Sequence, residues 1–199
     1  PAVQRGSKKW VQALDTVDWL TAQLPTGARY QLILFNTQAR FALPETQGRW
    51  LEIADSEQVE RAVSSVRNAL PEGGTSLHNA FNFLSELDSK PDNIFLVTDG
   101  LPTQGKSTPQ KNTVSGPARL KHYRDALKAL PSGVPVNVVL SPMEGDPRAA
   151  PRRRQGGVRR HSSQRKAQRE RWDSAIALFV AFAAEARTLT TTWSNFCDL

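Results

Sequence analysis

The stretch NIFLVTDGLPTQG, residues 93–105, decides how the rest of the chain is read. From Asn93 to Thr98 it is a short, β-branched and aromatic-rich run without helical spacing, the pattern of a strand buried on both faces of a sheet. Asp99 follows where such a strand leaves the sheet, and Gly100 lets the backbone turn, so the carboxylate projects at the sheet's carboxyl edge.

Outward from this strand, Tyr30 to Phe35 (YQLILF) and Val134 to Leu140 (VPVNVVL) show the same buried-strand pattern. Asn36 to Gln38 makes a tight connection from the first of them to a shorter neighbour, Ala39 to Leu43. Between the strands lie amphipathic helices. Trp10, Leu14, Val17, Leu20 and Leu24 recur at three- and four-residue spacing in a helix that starts at Ser7 and is ended by Pro25 and Gly27. Ser56 caps a second helix running to Leu70, closed by Pro71 and Gly73-Gly74; a third spans Leu77 to Leu87 and a fourth Ala118 to Leu130. Buried strands alternating with amphipathic helices predict an α/β fold over residues 1–147: a doubly wound, mostly parallel sheet with helices on both faces. Such sheets bind ligands beyond the carboxyl ends of their strands, here at Asn36–Gln38, Asp99–Gly105 and Ser141–Asp146.

Composition narrows the classes. The chain has 199 residues, of which 39% are apolar, enough for one domain with a buried core. Cys197 is the single cysteine, which excludes an intramolecular disulfide and a cysteine-rich zinc site, and His78, His122 and His161 are scattered. No run approaches the roughly 18 to 20 apolar residues that span a bilayer. The net charge of +7 resides in one segment: residues 148–171 hold nine Arg and one Lys against one Glu. With almost no apolar residues, that tract is expected to be disordered, and to bind nucleic acid or an anionic surface only nonspecifically, since it has no aromatic residue for base stacking. Residues 172–199 are expected to form an apolar, Ala-rich helix from Trp172 to Arg187 and a tail.

Two loops carry the candidate chemistry. Gly73-Gly74-Thr75-Ser76 is a Gly-rich turn that brings two hydroxyls to the start of a helix, where either could simply act as its cap. With Asp99 it offers hydroxyl and carboxylate oxygens, the hard ligands Mg²⁺ prefers. Glu144 and Asp146 follow the last clear strand and belong to the same edge, as a charged rim or a solvated turn. Gly100 to Ser107 also satisfies the phosphate-loop pattern G-x-x-x-x-G-K-[ST]. A phosphate cradle needs a helix opening at its Lys, and Lys106-Ser107 is followed by TPQKNTVSGP, so no nucleotide site is expected there.

The pairing of GGTSLHNAF (Gly73 to Phe81) with IFLVTDGLPTQG (Ile94 to Gly105), after a strand reading LILFNTQA, resembles the von Willebrand factor type A domain, of bacterial type. The similarity spans about Lys8 to Pro147. It implies a Rossmann-like fold and a metal-ion-dependent adhesion site, with Thr75 and Asp99 as ligands of Mg²⁺ or another divalent cation; from their positions beside these loops, Gly74, Ser76, Gly100, Glu144 and Asp146 are candidates for its rim. A third element of that site, an Asp-x-Ser-x-Ser motif after the family's first strand, does not occur, and only six residues precede the first helix. The first strand is therefore expected to lie upstream of Pro1, in a parent that could be periplasmic or membrane-anchored. The function implied is protein binding, an exposed carboxylate of the partner completing the cation's coordination. A metal-dependent hydrolase is the less favoured reading, because no positioned base or second aspartate accompanies Asp99.

Overall fold

The computed structural model describes residues 8–70, 73–107, 114–140 and 177–184, the last by backbone alone. In chain order the elements are α1 (Lys8–Ala22), β1 (Ala28–Phe35), β2 (Ala39–Phe41), β3 (Leu51–Glu52), α2 (Ser56–Asn68), α3 (Leu77–Phe83), β4 (Asn93–Thr98), α4 (Gly116–Leu127), β5 (Val136–Leu140) and β6 (Ala177–Ala184), with single 3₁₀ turns at Pro44–Thr46 and Leu84–Glu86. The molecule is mixed α/β, and its strands form one sheet in the order β2-β1-β6-β4-β5, with β3 on the outer edge of β1 beside β2.

Helices cover both faces. Along β1 the side chains alternate: Tyr30, Leu32 and Leu34 pack with Trp10, Ala13, Val17 and Leu20 of α1 and Ala62, Val63 and Val66 of α2. Ile33 and Phe35 face the other way, onto Leu77, Ala80 and Phe81 of α3 and Ala126 of α4. This is the period of two that sends alternate residues of a strand to opposite faces. Gln31 is fully buried yet satisfied, its amide donating to Thr46 Oγ1 at 3.1 Å and the Arg49 carbonyl at 2.8 Å while its oxygen accepts from Leu32 N at 3.0 Å.

Four expectations are corrected. The sheet is not mostly parallel: β4 and β5 are its parallel pair, and β1 pairs antiparallel with β2, β3 and β6, as β4 does with β6. The expected helix from Trp172 to Arg187 is, over Ala177–Ala184, a strand between β1 and β4. An eight-residue run apolar on every side has no periodicity to separate strand from helix, and here long-range pairing overrides the helical preference of its alanines. The strand β5 is not buried: Val138 and Leu140 are 55% and 64% exposed, and it is the last strand of the sheet on that side among the described residues. Finally, Asp55 and not Ser56 caps α2, its carboxylate accepting from Gln58 N at 3.0 Å. The basic tract at 148–171 and the rest of the C-terminal segment lie outside the described residues.

Two outcomes follow from this packing. In β6, Val180 is paired with Leu32 on one side and Phe95 on the other. Its amides should exchange with solvent deuterium as slowly as those of β1, and Val180→Pro should lower the unfolding free energy by at least about 2 kcal/mol; exchange within seconds at 177–184 would place the segment outside the sheet. The Tyr30 hydroxyl is sealed without a hydrogen-bond partner among the described residues. Burial, and secondarily the charge of Asp55, pushes its pKa well above the usual tyrosine value. An unfolded chain ionises this group near pH 10 while the folded one keeps the proton, so its stabilising contribution is complete below about pH 10 and falls as pH rises further. Tyr30→Phe should match or exceed the parent's stability at neutral pH, by up to about 1 kcal/mol, and decline less steeply in alkaline urea melts.

Candidate functional site

The register of the sheet determines which loops meet. Ala177, the first residue of β6, pairs with Phe35 on one side and Thr98 on the other, and Thr98 pairs with Leu140. The carboxyl ends of β1, β4 and β5 therefore lie at one edge, and Asn36 and Asp99 leave the sheet at the same level on either side of the start of β6.

The Gly73–Ser76 loop folds over that edge and is fastened from both sides. From the β1 side, the Asn36 carbonyl accepts from Ser76 N at 2.8 Å, and Asn79 of α3 donates to the Thr37 carbonyl at 2.8 Å. From the β4 side, the Thr75 carbonyl accepts from both Thr103 N (3.0 Å) and Gln104 N (3.1 Å), while Thr75 N donates to Thr103 Oγ1 at 2.8 Å. Ser76 has two tasks: its hydroxyl donates to the Gly105 carbonyl at 2.7 Å and accepts from Asn79 N at 3.2 Å, capping α3. Gly74 is required sterically, since a Cβ there would sit 2.6 Å from Thr103 Oγ1. Gly73 has a positive φ of 76°, a conformation that favours glycine.

Asp99 stands beside this knot at the start of the turn that Thr98 holds, its hydroxyl contacting both the carbonyl (3.3 Å) and the amide (3.5 Å) of Gly100. The Asp99 carboxylate meets Lys9 Nζ of α1 at 3.3 Å, with the two side chains only 18% and 19% exposed. Thr75 is more deeply placed, at 2% exposure.

The loops holding Thr75 and Asp99 are thus brought to one edge, with Gly74, Ser76 and Gly100 among them; Glu144 and Asp146 lie outside the described residues. Lys9, Thr103 and Gln104 escaped the reading of the sequence. A lysine in a helical first turn and a polar pair between Pro102 and Gly105 carry no periodic or motif signal, and their roles arise only when the loops meet. The phosphate-loop pattern is not realised: Gly100 to Ser107 is irregular, and the next helix among the described residues opens at Gly116.

The donors fit a hard cation only in part. Asp99 and Thr75 supply one carboxylate and one hydroxyl, with the carboxylate already neutralised by an ammonium, and no cluster of three or more His, Cys, Asp or Glu residues suited to a metal is present among the described residues. A divalent ion taking six or more oxygens would draw the remainder from water or from other segments. No helix among the described residues is long and apolar enough to cross a membrane. Comparison with family models, curated proteins and solved structures finds no match to this chain.

The staple between the loops can be tested directly. Thr103→Val keeps the shape of the side chain but removes the acceptor for the part-buried Thr75 amide. Denaturant unfolding should show a loss of about 1–3 kcal/mol, and Gly74→Ala should be destabilising through the same contact; a Thr103→Val variant as stable as the parent would show that the hydrogen bond does not hold the loop.

Proposed function

We propose that the chain is a protein-binding module of the von Willebrand factor type A kind, a Rossmann-like domain in which Thr75 and Asp99 help to hold a divalent cation, Mg²⁺ in the first instance, at the carboxyl edge of the sheet. The observation that carries this reading is the double fastening of the Gly-Gly-Thr-Ser loop, to the end of β1 through Asn36 and to the Asp99 loop through Thr103 and Gln104. The two motifs that suggested the family are distant in sequence and adjacent in space.

In this reading the fixed turn at Thr98–Gly100 orients the Asp99 carboxylate, and the Thr75 hydroxyl is immobilised because its backbone is hydrogen-bonded on both sides. When bound, the cation supplies positive charge to which a partner's carboxylate is attracted. Only one carboxylate from the described residues offsets that charge, so the site favours an acidic partner group over a neutral one. Lys9 competes for the same carboxylate. Its ammonium must be displaced before Asp99 can serve a metal, which keeps the intrinsic affinity of the chain weak.

Mn²⁺ provides a local reporter, because its paramagnetism broadens the NMR signals of nearby amides. Titration into the full-length chain should broaden Thr75, Ser76 and Gly100 first. Lys9→Met should raise the apparent affinity, on the order of threefold to tenfold for the removal of a competing charge pair of about 1 kcal/mol, and Asp99→Asn should abolish the localised effect. Broadening that is unchanged in Asp99→Asn, or that begins elsewhere, would overturn the proposal.

A further inference from the structure

Beside the loop knot, on the flank formed by α3 and α4, lies an open cleft of about 640 Å³, within the range of small-molecule sites. Its wall gathers Lys106, Lys121 and Lys128 with the imidazoles of His78 and His122, and Ser107 adds a hydroxyl. Asp125 is the acidic residue among those lining it. None of these groups takes part in the proposed cation site, although Gly105, which receives the Ser76 hydroxyl, also lines the cleft.

We propose that this cleft binds the phosphate group of a small phosphomonoester. Three ammonium groups against one carboxylate leave a net positive charge before either imidazole is counted. Lysines act as point charges toward phosphate, and a hydroxyl and two imidazoles add directional donors. A dianionic tetrahedral group, with three oxygens free to accept, uses this many converging donors; a monocarboxylate has two oxygens and one charge and does not. The volume exceeds that of inorganic phosphate and leaves room for the esterified body.

Two of the lysines converge on Asp125. Its carboxyl is held below the usual aspartate range, first by the hydrogen bond from Lys128 at 2.7 Å and by that residue's charge, then by Lys121 and His122. Lys121 stands 3.8 Å from the same carboxylate. Both lysine side chains are more than three-quarters exposed, so their ammonium groups can swing from Asp125 to a ligand. No ion pair engages Lys106 among the described residues. Gly105 allows the close approach of His122, since a Cβ there would lie 3.0 Å from its Nδ1.

The test is isothermal titration calorimetry of the full-length chain in low salt with EDTA, which removes divalent cations and so separates this proposal from the cation site. Ribose 5-phosphate is the probe, with inorganic phosphate and ribose as comparisons. Saturable one-to-one binding is expected for ribose 5-phosphate, weaker binding for inorganic phosphate and none for ribose. Lys106→Met combined with Lys128→Met should weaken binding by about tenfold or more, and Asp125→Asn, which relieves the competing carboxylate, should strengthen it by about threefold. The exposed Arg40→Gln, remote in sequence and on β2, should change nothing. Absence of saturable heat at millimolar ligand overturns the proposal. Heat that is indifferent to the lysine substitutions overturns it too, because the arginine tract at 148–171 would then be the binding element. A weakening by Asp125→Asn would mean that the cleft charges are structural pairs rather than a ligand site.

Discussion

The strands β1 and β4 are not paired with one another; each is hydrogen-bonded to β6, over eight residue pairs on one side and six on the other. Every other feature depends on this ladder. It sets the height of β4 against β1, and so places the turn at Asn36 level with the turn at Asp99. It also closes what would be two unpaired strand edges in the middle of the molecule, the arrangement most open to pairing with another chain. Because β1, β4 and β5 run in the same direction and β6 runs against them, the loops following the first three emerge together while β6 starts among them.

The helices translate that alignment into a site. On one face α1 and α2 cover Tyr30, Leu32 and Leu34; on the other α3 and α4 cover Ile33 and Phe35. Since α3 is anchored by Leu77 and Phe81 in the core and capped by Ser76, the loop immediately before it has little freedom. The amide and carbonyl of Thr75 and the amide of Ser76 are taken up by Thr103, Gln104 and Asn36. A loop whose backbone donors and acceptors are satisfied on both sides can hold a hydroxyl in place without further contacts, which is what a preorganised ligand position requires.

Much of this is legible in the sequence. The buried runs at 30–35 and 93–98 and the stripes of α1 and α2 announce themselves by periodicity, and the glycines at 73, 74 and 100 mark the turns. What could not be read was pairing between distant segments. The residues 177–184 are apolar at every position, so nothing local distinguishes a helix from an interior strand, and β5 looks buried because the apolar content of Val138 and Leu140 says nothing of whether another strand lies beyond them. The relation of Thr75 to Thr103 was equally hidden, for it is made by backbone groups that every residue possesses and by a threonine hydroxyl that no motif marks. Side-chain chemistry named the loops, and only the sheet register could join them.

The position of Lys9 shows how the candidate site and the fold are bound together. The first turn of a helix carries partial positive charge and favours acidic residues, yet α1 opens with Lys8 and Lys9 and has no acid in that turn. A lysine there is disfavoured locally, and its placement makes sense through its ion pair with Asp99, 90 residues away in sequence. The contact joins α1 to the turn after β4 and neutralises the one carboxylate assigned to the proposed cation site. An ammonium and a divalent ion cannot both occupy that carboxylate fully, so a ligand that draws Lys9 away must also loosen α1 from the loop. If the proposed cation binds at the sheet edge, its site and the seating of the first helix share a single electrostatic contact.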